Sequence, residues 1–319
     1  MLTKLIWGVL ICLTATLFTN TKAFCLDKRS SSALTHYIMG VMYEDTGDID
    51  RAIEEYKQVA KLDSESALVH LNLASTYIKK NDVPKAIQEL NLAVKISPDA
   101  VEPHAILAIL YTSLNKFDEA TAEYELALKN ASKLQPKNID IYKSLGLMYL
   151  KQRKLKDAEN AYKLIIDLSP EDAEAHFYLG SIYNELKNNA LTEKELKRSI
   201  ELKPDYHEAL NFLGYIYVEE NRNLDQAESL IKKALEVEPN NGAYIDSLGW
   251  LYFKRGKFQE ALKELERAAS LMEDPVIYDH LGDAYLKTKD AQKAKLNWEK
   301  SLKLDPNQEG VKKKLDAIH

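Results

Sequence analysis

One five-residue skeleton runs through the chain eight times: a large apolar residue, a glycine or alanine, two unrestricted positions and a tyrosine. It reads Met39-Gly40…Tyr43, Leu73-Ala74…Tyr77, Leu107-Ala108…Tyr111, Leu145-Gly146…Tyr149, Leu179-Gly180…Tyr183, Leu213-Gly214…Tyr217, Leu248-Gly249…Tyr252 and Leu281-Gly282…Tyr285. From one small residue to the next the steps are 34, 34, 38, 34, 34, 35 and 33 residues. A period of this size specifies a stack of like units, each leaning on its neighbours, rather than one core grown around a single centre. Within Leu248–Tyr252 the two large residues stand four apart and share a helix face. Glycine inside a helix costs about 1 kcal/mol against alanine, so a small residue kept in all eight copies predicts close approach of a second helix. That helix is legible too. Twelve residues on comes Ala52, Ala86, Ala120, Ala158 or Ala261, and four further a large residue, Tyr56, Leu90, Tyr124, Tyr162 or Leu265. Ala261, Leu262, Leu265 and Ala268 lie at helical spacing and give this second helix its apolar face.

Units tend to close on proline, at Pro98, Pro170, Pro204, Pro239 and Pro306. This order of small, aromatic and proline positions resembles the tetratricopeptide repeat (TPR) family, a helix-turn-helix of 34 residues. The resemblance covers roughly residues 33–308. It implies an all-α, right-handed superhelical solenoid of eight repeats, at 33–66, 67–100, 101–138, 139–172, 173–206, 207–241, 242–274 and 275–308. The four extra residues of the long step fall around Asn130–Lys137 and read as a longer loop, a joint between three repeats and five. Repeat five has Thr192 and Ser199 where alanines are expected, which predicts an offset helix pair. Repeat six has one extra residue near Asn221–Asn223. After Pro306, Val311, Leu315 and Ile318 share one helix face and Lys312, Lys313 and Lys314 point elsewhere, so 309–319 reads as a capping helix with one apolar and one polar side.

Residues 1–23 stand apart. Lys4 precedes the apolar run Leu5–Phe18, and Thr21-Lys22-Ala23 places small residues where a signal peptidase cuts. The run is short of the ~20 apolar residues that span a bilayer, so it reads as an export signal, the alternative being an uncleaved membrane tether. Removing it takes Lys4 and Lys22 and moves the net charge from −6 to −8. Cys25 would then be the one cysteine left. A lipidation site there wants a small preceding residue, and Phe24 stands in its place. Residues 24–32 read as a polar linker.

Net charge of −6, with no basic run of five or more inside the array, gives no footprint for nucleic acid. The chain lacks His-Glu-x-x-His, a phosphate loop, a dinucleotide glycine turn and Gly-x-Ser-x-Gly, so no enzyme and no cofactor is expected. His36, His70, His104 and His176 each stand four residues before the small position. Metal ligands must converge on one ion within about 2.0–2.1 Å, whereas equivalent places in stacked helices lie roughly 8–10 Å apart. These histidines therefore read as packing residues with a polar tip, and no metal is expected.

What remains is surface. The family's first helices line a concave groove, and the resemblance implies groove positions three residues before and one after the small residue. In repeats one to four these are Tyr37, Val41, Leu71, Ser75, Ala105, Ile109, Lys143 and Leu147, a largely apolar set. In repeats five to eight they are Phe177, Ser181, Asn211, Tyr215, Asp246, Trp250, Asp279 and Asp283, which mix aromatic, amide and carboxylate groups. Aromatics supply rigid contact area and carboxylates favour basic partners, so a peptide or helix with apolar and basic residues is the expected ligand. The alternative is that Tyr215 and Trp250 are packing residues and the aspartates only solubilise. The family's clamp for an acidic C-terminus is not expected, because Asp246, Asp279 and Asp283 stand where cations would be needed. The text Tyr244–Trp250, with Asp279–Asp283 and Trp298, is similar to bacterial envelope TPR proteins that act as assembly factors or adaptors. The expectation is a protein-binding scaffold of a bacterial envelope, holding a partner segment in its groove to assemble or localise a complex for secretion, pilus formation, polysaccharide export or proteolysis. A self-associating spacer that uses its convex face and ends is the other reading.

Overall fold

Seven residues after each small position the backbone turns left-handed, at Gly47, Asn81, Asn115, Arg153, Lys187, Asn221, Gly256 and Lys289. These eight points split the eight repeats into helix pairs. A computed structural model describes residues 28–317; the leader 1–23, both cysteines, Ile318 and His319 lie outside them. Seventeen helices and no strand occur among the described residues. The pairs are α1 Lys28–Asp45 with α2 Ile49–Leu62, α3 Ala67–Lys79 with α4 Val83–Ile96, and α5 Val101–Ser113 with α6 Phe117–Leu134. They continue as α7 Ile139–Lys151 with α8 Leu155–Leu168, α9 Ala173–Glu185 with α10 Asn189–Leu202, and α11 His207–Glu219 with α12 Leu224–Val237. Last come α13 Gly242–Lys254 with α14 Phe258–Leu271, α15 Pro275–Lys287 with α16 Ala291–Leu304, and the single helix α17 Glu309–Asp316. Many helices begin at a side-chain cap: Asp48, Asp82, Asp172, Asn188 and Asp290 each accept from the backbone N–H three residues on.

The small positions do what the spacing predicts. A Cβ added at Gly249 would lie 2.7 Å from Leu265 Cγ, and one at Gly146 2.7 Å from the Tyr162 ring, so the second helix already fills that space. Repeat five is no exception. A Cβ at Gly180 would stand 2.8 Å from Leu196 Cγ, so its pair is not offset. Thr192 and Ser199 are buried there, and their hydroxyls donate to the backbone carbonyls of Asn188 and Ala173 at 2.9 and 2.7 Å. In repeat three the second-helix aromatic, Tyr124, stays 45% exposed.

Three segments differ from expectation. Helix α1 starts at Lys28, inside the stretch read as linker, because Arg29 Nε donates to the Leu62 carbonyl at the end of α2, 2.7 Å away. The four extra residues near Asn130–Lys137 form no long loop. They extend α6 to 18 residues, and the buried Asn130 amide donates to the Pro98 carbonyl at 2.9 Å. Lys314, expected to point away from the packed side of α17, faces repeat eight.

The chain divides into two compact units at Leu134/Gln135. The first has a core of residues such as Tyr56, Leu73, Tyr77, Leu90 and Leu107. The second is cored by Leu213, Tyr217, Ile231 and Leu251, and further on by Leu265, Leu281, Trp298 and Val311. No described helix is long and apolar enough to cross a membrane.

Candidate functional site

In the first unit the expected groove positions are graded. Tyr37 and Leu71 are half-buried and pack on the core. The Tyr37 hydroxyl accepts from the Asn72 amide at 3.0 Å. Val41 on α1 is 36% exposed and Ile109 on α5 is 67% exposed, with half-buried Ser75 at the same place on α3. The Ile109 side chain is thus two-thirds uncovered by the described residues.

In the second unit Leu147 on α7 is 40% exposed. Beside it in sequence, Lys143 is held by Asp172 and Glu174 at 3.0 and 2.7 Å. Phe177 on α9 stands among Tyr178, Tyr206 and Phe212, with ring centres 5.2 to 6.3 Å away. Ser181 is half-buried. On α11, Asn211 and Tyr215 are half-buried one turn apart, and the buried Asn211 side-chain oxygen meets no hydrogen-bond donor among the described residues. Burial, and then the carboxylates of Glu219, Asp246, Asp274 and Asp279, push the Tyr215 hydroxyl above its ordinary value, so it stays a neutral donor.

Asp246 and Trp250 do not line an open surface. Asp246 is 5% exposed, and both its oxygens lie 3.0 Å from His280 Nδ1. Trp250, 8% exposed, is sandwiched between the rings of His280 and Phe253 at 4.0 and 4.5 Å, nearly parallel to each. Its indole N–H donates to Glu219. Burial by itself draws the His280 imidazole down. The Asp246 carboxylate, with Asp279 and Glu219 behind it, outweighs that and raises it above its ordinary value. Trp250 is thus packed among neighbouring rings, and the Asp246 charge is answered inside the fold.

Asp279 and Asp283 are half-buried and also answered. Lys314 of α17 reaches both, with its Nζ 2.7 Å from Asp279 Oδ1 and 2.8 Å from Asp283 Oδ2. The same ammonium lies 5.9 Å from the centre of a Trp298 ring. For Asp283 burial outweighs the pull of Lys314 and raises the carboxyl; for Lys314 the two carboxylates outweigh burial and raise the amine. Lys314 and His280 join the expected residues at this site. Val311, Lys314 and Leu315 stand at i, i+3 and i+4 of one helix, and that spacing is the signal that could have found Lys314.

The four aligned histidines each meet their own carboxylate, always 19 residues on: Glu55, Glu89, Glu123 and Glu195, with Nδ1 to oxygen distances of 2.6 or 2.7 Å. His104 and His176 also turn Nε2 to the proline carbonyl that closes the preceding repeat, Pro98 and Pro170, at 3.0 and 3.3 Å. In repeat four Tyr142 does the same work, donating to the Pro136 carbonyl at 3.0 Å. No cluster of three or more metal-ligating side chains occurs among the described residues. A cleft of about 800 Å³ lies between α8, α9 and α10, and charged groups of its lining are paired, as His176 is with Glu195 and Arg198 with Glu201.

A family model described as the cilia and flagella-associated protein 70 C-terminal domain matches residues 19–247. Two tetratricopeptide repeat models match 216–279 and 276–308. No curated protein matches the chain. Among solved structures it is similar to a tetratricopeptide repeat protein from Parabacteroides merdae, at 20% identity and a TM-score of 0.57, over 79% of this chain and 98% of that one. It is similar to PilW, described as a widely conserved type IV pilus biogenesis factor, at 17% identity and 0.53, over 67% and 98%. The Cut9–Hcn1 structure of the APC/C gives 17% identity and 0.56, over 99% and 75%. At these identities the likeness is one of fold.

Proposed function

This chain belongs to the tetratricopeptide repeat family, in the group whose model is described as the cilia and flagella-associated protein 70 C-terminal domain, and we propose that it is a protein-interaction scaffold that holds an apolar helix or peptide against its first helices. The observation that carries this reading is the exposure of Ile109 and Val41 at equivalent positions of α5 and α1. Aliphatic area of this kind is released from water when a partner covers it. In the second unit Phe177, Ser181, Asn211 and Tyr215 are half-buried and offer the mixed aromatic and amide surface that suits a peptide. The test is crosslinked capture from native cells, comparing the natural chain with Val41→Glu plus Ile109→Glu, and separately with Asn211→Ala plus Tyr215→Ala. Both pairs should remain as helical as the natural chain. Loss of one specific captured protein is expected; an unchanged set of captured proteins would overturn the reading.

Its place in the cell follows, in our reading, from the leader: an apolar run Leu5–Phe18 with a small-residue cut after Ala23 directs the array out of the cytosol, into a bacterial envelope. Fractionation with N-terminal sequencing of the mature chain checks this, and a cytosolic chain beginning at Met1 would refute it. A second reading, self-association through the ends, draws on one feature: Leu34, Ile38 and Met42 form a stripe along α1 and are 49, 50 and 56% exposed. Sedimentation of Ile38→Glu beside the natural chain decides it.

A further inference from the structure

We propose that α17 is a tethered stand-in for the partner, and that the end of the second unit is a lysine-binding site whose natural ligand is a helix bearing the pattern aliphatic-x-x-Lys-aliphatic. This rests on the reading above that the first-helix face takes a partner helix, and it names what that helix carries. Asp279 and Asp283 stand one turn apart on α15 and converge on a single ammonium, that of Lys314, at 2.7 and 2.8 Å. Trp298 of α16 closes a third side. Two carboxylates and an indole face around one cation are the elements that recognise a lysine head and exclude an anion. Asp283 is buried enough that its carboxyl is raised even with Lys314 in place, so the site is poorly solvated and calls for a cation.

The occupant is short, and Gln308 just before it is bonded to Ser301 at 2.8 Å. Helix α17 has eight residues, and no side chain caps its start. An isolated helix of that length is marginal in water, so docking keeps it folded. Its docking side chains are Val311, 2% exposed, Leu315, packed on the terminal core, and Lys314 between them. Lys312 is spent on Glu309 of the same helix. A partner helix offering the same three side chains would compete for the same place. Of the three aspartates that mark this face as acidic, Asp246 is closed by His280. The Asp279–Asp283 pair is the one whose cation arrives on a short terminal helix.

The experiment uses the full chain and, as probe, a synthetic peptide of residues 308–317 with a fluorescent label. The natural chain, Lys314→Glu, and Lys314→Glu combined with Asp279→Asn and Asp283→Asn are titrated by anisotropy, with circular dichroism confirming equal helicity. If the tethered helix fills the site nine-tenths of the time, free peptide sees the natural chain about tenfold more weakly than a chain whose own tail is repelled. We expect a gain of that order in Lys314→Glu, its loss in the triple variant, and no gain with a peptide in which Lys314 is glutamate. Lys314→Met, which keeps the aliphatic stem, repeats the comparison should the charge reversal disturb folding. Equal affinity in the natural and Lys314-substituted chains, or a gain that survives removal of both carboxylates, overturns the proposal. The two proposals fail separately. An unchanged capture set with Val41→Glu plus Ile109→Glu leaves the peptide result standing, and indifference of the peptide to Lys314 leaves capture standing.

Discussion

Gly249 and Gly256 lie seven residues apart in one repeat and are required for opposite reasons. A Cβ on Gly249 would meet Leu265 Cγ at 2.7 Å and the Leu265 backbone nitrogen at 3.2 Å, whereas one on Gly256 would meet nothing within 4 Å. Gly256 instead sits at a φ of 75°, where an L side chain is strained by about 1–2 kcal/mol. Gly256→Ala should therefore cost about 1 kcal/mol and leave the packing intact. Gly249→Ala should cost more, because Leu265 is fully buried and its backbone cannot retreat. Chemical denaturation of the two variants checks the order, and equal losses would refute the distinction. Trp250 belongs to the same scale. With one face on His280 and the other on Phe253, Trp250→Ala should lose about 3–5 kcal/mol as a core truncation, measured as a fall in the denaturation midpoint. A loss of partner capture with stability unchanged would contradict the buried placement.

Between elements, polar clasps do the joining. His280 on α15 is bound to Asp246 on α13, and Asp279, Glu219 and the Trp250 ring are its other charged or aromatic neighbours. Its imidazole is raised above the ordinary value of about 6.5. The folded state thus binds this proton more tightly than the unfolded chain does. The stabilisation is fully present below about pH 6.5 and is lost as pH rises through the higher folded value. Asp246→Asn should remove this alkaline loss and lower stability at pH 6, since the buried imidazole then gives up the proton that the carboxylate holds on it. Urea midpoints between pH 6 and 9 measure both, and a pH slope that persists in Asp246→Asn would refute the assignment. Elsewhere the clasp between first and second helices is a histidine and a glutamate 19 residues apart. His104→Leu keeps the bulk but removes the contact to Glu123 and leaves the Pro98 carbonyl with Asn130 alone. A loss of about 1–3 kcal/mol is expected, and a thermal melt reads it.

At the scale of the molecule, stability in a stacked array is a sum of repeat and nearest-neighbour terms. Leu90 is fully buried in the core of the first unit. Leu90→Ala should cost about 2–5 kcal/mol, and hydrogen exchange should show protection falling most in α3 and α4, less in α1, α2, α5 and α6. Uniform loss across all six helices would mean that the first unit unfolds all at once.

The sequence by itself determined the repeat count, the two helices of each repeat and the contact between the small residue and the second helix. A recurring spacing is a local property, and close approach leaves its mark in the residue type. It also placed Val41 and Ile109 at equivalent positions, which the fold leaves exposed. It could not determine the fate of a charge. Asp246, Asp279 and Asp283 have the same text whether they face water, a partner or a cation of their own chain. Only the tertiary structure brought His280 and Lys314 to them, from 34, 35 and 31 residues away. It likewise turned four extra residues into a longer α6 and began α1 inside the supposed linker, because a buried amide and an arginine found carbonyls in neighbouring elements. Periodicity is written along the chain, whereas electrostatic pairing is settled across it, where the energy of a buried carboxylate depends on which cation the stacking delivers.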